Sequence, residues 1–467
     1  MGPEWVAIIA LIALFVIGTL LPINMGALAY VAAWLVGMYS LDLQEKEILA
    51  GISADLVLTL IGVTYLFAIA RQNGTVDLIV RSSVKAVGGR VALIPWVMFA
   101  VTAVITAIGA ASPAACAIIG PIALGFAGRY KISPLMMGMF VVHGAQAGGF
   151  SPISIYGTIT NSVMEQNGLP SSEMTIFLSS LIVNLVMATI LFFVLGGRKL
   201  MSLRLDPDET AEGGSADAGA TGATRATGGT GGTGGTGGTA TAVHRDPSAL
   251  SGTGATPTTG TAVAAPEHGI RRDQVLTLLA FAGVATVALA FDKNIGFVSI
   301  TAAVLLSMIS PNEYKDTVKQ IAWPTVLLVA GVTTYATILT TAGSPEFVGN
   351  WAAGLGAVTI GALILCYVGG VVSAFASSTA LLPVIIPISI PLIAEGGISA
   401  GLFVAALAVS STIVDVSPFS TNGALMLANR PDTISEPKYY KQILIYAVIV
   451  TVVGPLLVWA ALVAPGW

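Results

Sequence analysis

Apolar residues run along this chain in long blocks separated by short polar interruptions, and the blocks have the length of membrane spans. A helix rises ~1.5 Å per residue, so ~20 apolar residues cover a hydrocarbon core. In the first half the pattern predicts helices at 5–21, 24–40, 54–71, 134–164 and 174–196. In the second half it predicts 271–291, 294–310, 323–341, 400–429 and 440–463. Residues 75–89 mix Arg81 and Lys85 with apolar positions and read as an amphipathic helix lying at the interface.

Two apolar stretches are broken differently. Residues 91–128 carry two arms around Gly109-Ala110-Ala111-Ser112-Pro113, and 356–394 carry two arms around Ser377-Ser378-Thr379. Gly and Pro break both arms of the first stretch at one point, so it reads as a re-entrant hairpin, and the Ser-rich tip of the second reads as its counterpart in the repeat. Two of the long helices are also interrupted, at Gly148-Gly149-Phe150-Ser151-Pro152-Ile153-Ser154 and at Asp415-Val416-Ser417-Pro418-Phe419-Ser420.

These features recur at a nearly fixed distance. Pro121, Ser151, Pro152 and Ser154 each precede a residue of the same type by 266 positions: Pro387, Ser417, Pro418 and Ser420. Gly62-Val63-Thr64 recurs 269 residues on as Gly331-Val332-Thr333, and Asn24-x-Gly26 recurs 270 on as Asn294-x-Gly296. The chain therefore reads as two repeats, 1–205 and 270–467, a common transporter design. Between them, 206–269 is rich in Gly, Thr and Ala with no apolar face to bury, and reads as a disordered, flexible linker.

Composition agrees: 55% of residues are hydrophobic and 9% charged, against about 25% charged in soluble domains. Charge also orients the chain. With the N-terminus outside, five spans per half invert the second repeat, and 18 of the 20 Lys and Arg fall inside; only Lys46 and Lys293 fall outside. Both termini are then extracellular and the linker cytoplasmic. The residues after Met1 lack a positive leader region, so the first apolar stretch reads as a retained helix. Cys116 and Cys366 both lie in apolar stretches and give no metal spacing, and no basic stripe for nucleic acid exists.

Broken backbone inside a bilayer persists only where it lines an enclosed or wet site. Half-helix N-termini offer N–H groups to anions, freed carbonyls hold cations, and Ser and Thr add neutral donors and acceptors. Four breaks paired by a repeat favour a site over simple kinks. Candidate residues are Ser112, Ser151, Ser154, Thr158, Ser378, Thr379, Ser417 and Ser420. Asn161 and Asn422 read either as partners for a carboxylate or hairpin backbone, or as helix caps. Asp415, whose repeat mate is Gly149, is an intramembrane carboxylate: a ligand for Na⁺, a proton carrier, or a partner for N–H groups freed at the break. His143, beside Gln146, either meets substrate and titrates or is a satisfied core histidine. No Lys or Arg lies deep in a predicted span, so an anionic substrate needs helix dipoles, hydroxyls or a co-bound cation.

The paired plan of hairpin and broken helix resembles the ion transporter superfamily, including the divalent anion:sodium symporters. Within it, Gly149-Phe150-Ser151-Pro152-Ile153-Ser154-Ile155-Tyr156-Gly157 is similar to the MatC-type dicarboxylate (malonate) carriers. Hairpin tips in the symporters carry Ser-Asn-Thr. The matching triplets are Ala111-Ser112-Pro113, which departs from that pattern, and Ser377-Ser378-Thr379, which is close to it. The resemblance implies that tips and breaks hold Na⁺ and the substrate carboxylates between them. Ser377, Ser378 and Asp415 would then serve Na⁺, as would the backbones of Ala111 and Gly149. It further implies a homodimer in the cell inner (plasma) membrane and an elevator motion of the hairpin domain against a scaffold built from the first two helices of each half.

The expected protein is thus an all-α polytopic membrane protein with two inverted repeats, each of five transmembrane helices plus one re-entrant hairpin. It is expected to carry a small dicarboxylate, malonate or a C4 acid, coupled to Na⁺ or H⁺, with lipid around it. An H⁺-coupled carrier or an exchanger of another small anion is the alternative. An embedded enzyme would need clustered carboxylates, His or metal ligands, and only Asp415 and His143 are present. A channel would need rings of like residues rather than one paired internal site.

Overall fold

The computed structural model describes residues 2–21, 23–85, 90–201, 271–291, 293–354, 358–374 and 378–466. The linker expected at 206–269 and Ser377 lie outside the described residues, as do 86–89 at the end of the amphipathic segment.

The first half runs α1 (Pro3–Leu20), α2 (Met25–Ser40), α3 (Glu45–Ala50), α4 (Ala54–Gln72), α5 (Thr75–Lys85), α6 (Leu93–Ala107), α7 (Ser112–Arg129), α8 (Pro134–Gly148), α9 (Ile155–Gln166), α10 (Glu173–Val194) and α11 (Gly197–Leu200). The second runs α12 (Arg272–Phe291), α13 (Ile295–Ile309), α14 (Pro311–Tyr314), a 3₁₀ turn (Thr317–Gln320), α15 (Trp323–Thr341), α16 (Ser344–Ala353), α17 (Val358–Ser373), α18 (Ser378–Ala394), α19 (Ala400–Ile413), α20 (Thr421–Ala428) and α21 (Glu436–Leu462). Hairpin pair, broken pair and long closing helix recur in the same order. The pattern of apolar residues missed α16, the counterpart of α5; its start, Ser344-Pro345-Glu346, is a helix N-terminus read too locally to predict.

Polarity is reversed relative to a soluble fold. Ile9, Ile12 and Val16 on α1, Ile182, Val186 and Ile190 on α10, and Ile445, Val448 and Val452 on α21 are all exposed. Six helices are long and apolar enough to cross a membrane. Exposed apolar surface on this scale fits a membrane-facing exterior. Of those six, Ser112–Arg129 starts at a buried tip, since Ser112 is enclosed in protein.

The halves cross reciprocally: α4 packs on α13 and α2 packs on α15. Glycines let both crossings close. A Cβ at Gly331 would sit 2.0 Å from the Gly26 carbonyl oxygen, and one at Gly62 would sit 2.6 Å from that of Gly296. The same polar contact stands at both crossings: Asn24 donates to the Pro324 carbonyl (3.0 Å), and Asn294 donates to the Asp55 carboxylate. Asn24 and Asn294 also cap α2 and α13, accepting from Gly26 N–H (2.9 Å) and Phe297 N–H (3.1 Å).

The broken helices fill the centre. Every residue of α8 after Pro134 is buried, as are nearly all of α19. Each is flanked by its own hairpin arm, α6 or α17. Toward the crossed helices the packing is unequal. α9 lies along α4 and α18 along α15, whereas the counterpart pairs α20–α15 and α7–α4 lack comparable packing among the described residues. Ser162 and Gln166 of α9 reach α4, with Ser162 donating to Asp55 (3.4 Å) and Gln166 to Ser53 Oγ (2.7 Å).

Candidate functional site where the two halves meet

The two breaks are built alike. Ser154 caps α9, accepting from Gly157 N–H (3.3 Å) and donating to the Ser151 carbonyl (2.7 Å). Ser420 caps α20, accepting from Gly423 N–H (3.3 Å) and donating to the Ser417 carbonyl (2.8 Å). Only glycine fits at the third position of each helix: a Cβ at Gly157 or Gly423 would lie 2.0 or 1.9 Å from the Ser151 or Ser417 oxygen.

Ser151 and Ser417 use their hydroxyls on backbone. Ser151 donates to the Ala107 carbonyl (2.5 Å) and Ser417 to the Ala374 carbonyl (2.9 Å), so each ties a broken helix to the end of its own hairpin's first arm. Those carbonyls lose their helical partner where the arm stops, and the serines supply one. In the second hairpin, Ser378 donates to the Ser411 carbonyl (3.2 Å) and accepts from Ser373 (2.7 Å).

Contacts that join the halves come from the second residue of each post-break helix. Asn422 on α20 donates to Ser112 Oγ at the first hairpin tip (2.8 Å) and to Asp415 Oδ2 (2.8 Å). Tyr156 on α9 lies beside Thr379 at the start of the second hairpin's return arm. Each broken helix therefore meets the hairpin of the other half, and α7–α20 and α18–α9 pack accordingly. Asp415 is 8% exposed. The Asn422 backbone N–H also points at its carboxylate and the Ser420 side chain lies alongside. Asp415 thus accepts from a side-chain amide on the helix that follows the break. None of the three ion pairs among the described residues involves it.

The remaining candidates lie around this cluster or away from it. Thr158 is buried and reaches toward the Pro152 carbonyl (3.5 Å). Asn161 donates to the Gly157 carbonyl (2.8 Å) and accepts from Ser172 N–H (3.0 Å), fastening α9 to the start of α10 rather than facing a hairpin. The Gly149 carbonyl accepts from Gly157 N–H (3.3 Å) and Ser154, and the Ala111 carbonyl accepts from Ala115 N–H (3.0 Å). His143 is a satisfied core histidine. Its Nδ1 meets Asn184 Oδ1 (2.8 Å) and its Nε2 meets the Tyr446 hydroxyl (2.6 Å). Asn184 spends its N–H groups on Ser180, so its oxygen accepts from Nδ1–H and Nε2 accepts from Tyr446.

Two cluster members escaped the sequence reading. Tyr156 stands 266 residues before Asn422, so the repeat offset marked it, but a phenol and an amide share no residue type. Cys116, one turn after Ser112 on α7, is buried and close enough to Asp415 to feel its charge. A cavity of about 150 Å³ opens beside the second hairpin, lined by Gln166 of α9, Thr333, Thr337 and Thr340 of α15, and Pro383 and Pro387 of α18. A larger one of about 750 Å³ lies between α12 and α13 behind Leu279, Phe297 and Leu305; it is an apolar groove remote from the polar cluster.

An all-α multi-pass membrane protein with broken helices and hairpin tips gathered at its centre has the architecture of a transporter. A family model for the N-terminus of the dicarboxylate carrier protein MatC matches residues 1–149, and a citrate transporter family model matches residues 287–465. The two matches, one in each half, support a MatC-type dicarboxylate carrier in the ion transporter superfamily. They indicate a carrier rather than an enzyme. No curated protein matches the chain.

Proposed function

We propose that the chain is a secondary active transporter that moves a small dicarboxylate, malonate or a C4 acid, together with Na⁺ or H⁺. The observation that carries this reading is the crossed pairing of hairpins and breaks: Asn422 with Ser112, and Tyr156 with Thr379. A solute held there touches both halves at once. It meets half-helix N-termini, amide and hydroxyl groups, and no fixed cation, so the second negative charge of a dicarboxylate needs a co-bound cation. Asp415 adds to that need. The oxygen donors around it, from Ser112, Asn422 and Ser420, suit a hard cation or a proton.

In this reading the repeats, 1–205 and 270–467, are inverted and joined by a cytoplasmic linker, and the termini face outward. The end of the molecule at which Asp55, Asn294 and Gln166 meet is then extracellular. Its close packing, against looser packing of the counterpart pairs, supports alternating access by an elevator-type movement of hairpins and broken helices past α2, α4, α13 and α15. A homodimer would hold those crossed helices still.

Competition tests the substrate class. Proteoliposomes loaded with the purified chain are given radiolabelled malonate and unlabelled mono-, di- and tricarboxylates under imposed Na⁺ or pH gradients. Dicarboxylates of three or four carbons are expected to compete best. Equal competition by monocarboxylates would overturn the reading.

A further inference from the structure

We propose that the groove between α12 and α13 seats one acyl chain of an anionic phospholipid, with Lys293 taking its phosphate; this does not depend on the transport reading above. The groove holds about 750 Å³, within the ~300–1,000 Å³ of ligand-sized pockets. Its walls are hydrocarbon, with Leu276 and Leu279 from α12 and Phe297 and Leu305 from α13. Leu279, Phe297 and Leu305 are exposed, so the groove opens onto the surroundings of the molecule rather than into its core. In a membrane-spanning fold those surroundings are lipid tails.

Two residues give the groove a length and a direction. Gly283 lines it, and a Cβ there would meet nothing within 4 Å, so the glycine leaves open space. Lys293 is the one charged residue among the described residues that line it. It stands two residues after α12 ends at Phe291 and two before α13 begins at Ile295, which puts it at one end of the groove. Ten residues separate Lys293 from Gly283, roughly 15 Å at the rise of a helix and about half of a ~30 Å hydrocarbon core. A lipid held by its phosphate at Lys293 therefore reaches the middle of the bilayer near Gly283.

Charge selects the head group. Lys293 is exposed and takes part in none of the three ion pairs among the described residues. Asp55, at the same end of the helices, accepts from Asn294 and Ser162. The start of α13 adds the positive end of its dipole beside the lysine. An uncharged occupant leaves that lysine unpaired at the edge of hydrocarbon, and a phosphate pairs it. The first half lacks the combination. At the offset of 270 that pairs Asn24 with Asn294, Lys293 answers to Ile23, Gly283 to Ala13 and Phe297 to Ala27.

The test titrates the purified full chain in detergent with phosphatidylglycerol or with phosphatidylcholine of identical acyl chains. Native mass spectrometry reads bound lipid and subunit number, and thermal unfolding is followed alongside. The wild type is expected to bind phosphatidylglycerol about fivefold more tightly, the factor that ~1 kcal/mol per lysine near a charged membrane surface gives. Lys293→Ile, which installs the residue of the first half, is expected to bring the two lipids level while phosphatidylcholine binding stays. Gly283→Leu, whose side chain enters open space, is expected to keep the wild-type Tm without lipid and to lose the tighter binding of phosphatidylglycerol. Equal binding of the two lipids by the wild type overturns the inference, as does an undiminished preference in either variant. Conversion of a dimer to a monomer by Gly283→Leu, with bound lipid unchanged, also overturns it and assigns the groove to a second copy of the chain.

Discussion

Tyr156 and Asn422 hold the same place in the two halves of the molecule, each two residues after the serine that caps its half-helix, and each reaches the hairpin of the opposite half. One is a phenol and the other an amide, so the site has pseudo-two-fold geometry and unequal chemistry. Removing only the Tyr156 hydroxyl, as in Tyr156→Phe, should leave the fold intact and take away a polar group that stands beside Thr379 at the crossed site. One neutral hydrogen bond is worth ~0.5–1.5 kcal/mol, so malonate KM in reconstituted uptake should rise about two- to tenfold. An unchanged KM would remove Tyr156 from the site.

The glycine crossings should be sensitive to size alone. Gly331→Val places carbon atoms where the Gly26 carbonyl now sits, with the first of them 2.0 Å from its oxygen. Overpacking of this kind costs ~1–3 kcal/mol. Thermal unfolding of the detergent-solubilised protein should show a clear drop in Tm, with Gly62→Val behaving alike. Substitution at Gly283, where a Cβ meets nothing within 4 Å, should have little effect.

The proposed movement of α9 past α4 is open to capture. Ser53 and Gln166 are joined by a 2.7 Å hydrogen bond. Cysteines at both positions, bridged by a short cleavable thiol reagent, should abolish malonate uptake, and cleavage of the bridge should restore it. Full uptake by the bridged protein would mean that these helices do not separate during transport.

Much of this architecture was legible in the sequence because the bilayer imposes it. Apolar run length located the helices, and Gly109, Pro113, Ser151-Pro152 and Ser417-Pro418 marked the breaks, since such residues stop a helix whatever surrounds them. A nearly fixed offset paired Gly26 with Gly296 and Ser154 with Ser420 before any contact was known. What side chains do at the breaks was less legible. Ser151 and Ser417 looked like groups for a ligand, and they satisfy carbonyls at the hairpin ends. Asn161 and Asn422 looked alike, yet one fastens a loop and the other bridges the halves. Helical phase decides which way an amide points, and phase is reset at every break. His143 stayed open for a related reason: its partners, Asn184 and Tyr446, lie 41 and 303 residues away.

Accumulation of radiolabelled malonate by proteoliposomes bears most directly on the crossed site as the seat of cation-coupled transport. The account predicts that an imposed Na⁺ or pH gradient drives internal malonate above the external concentration, and that collapsing the gradient lets it fall back. Malonate that equilibrates downhill at the same rate with or without either gradient would contradict it.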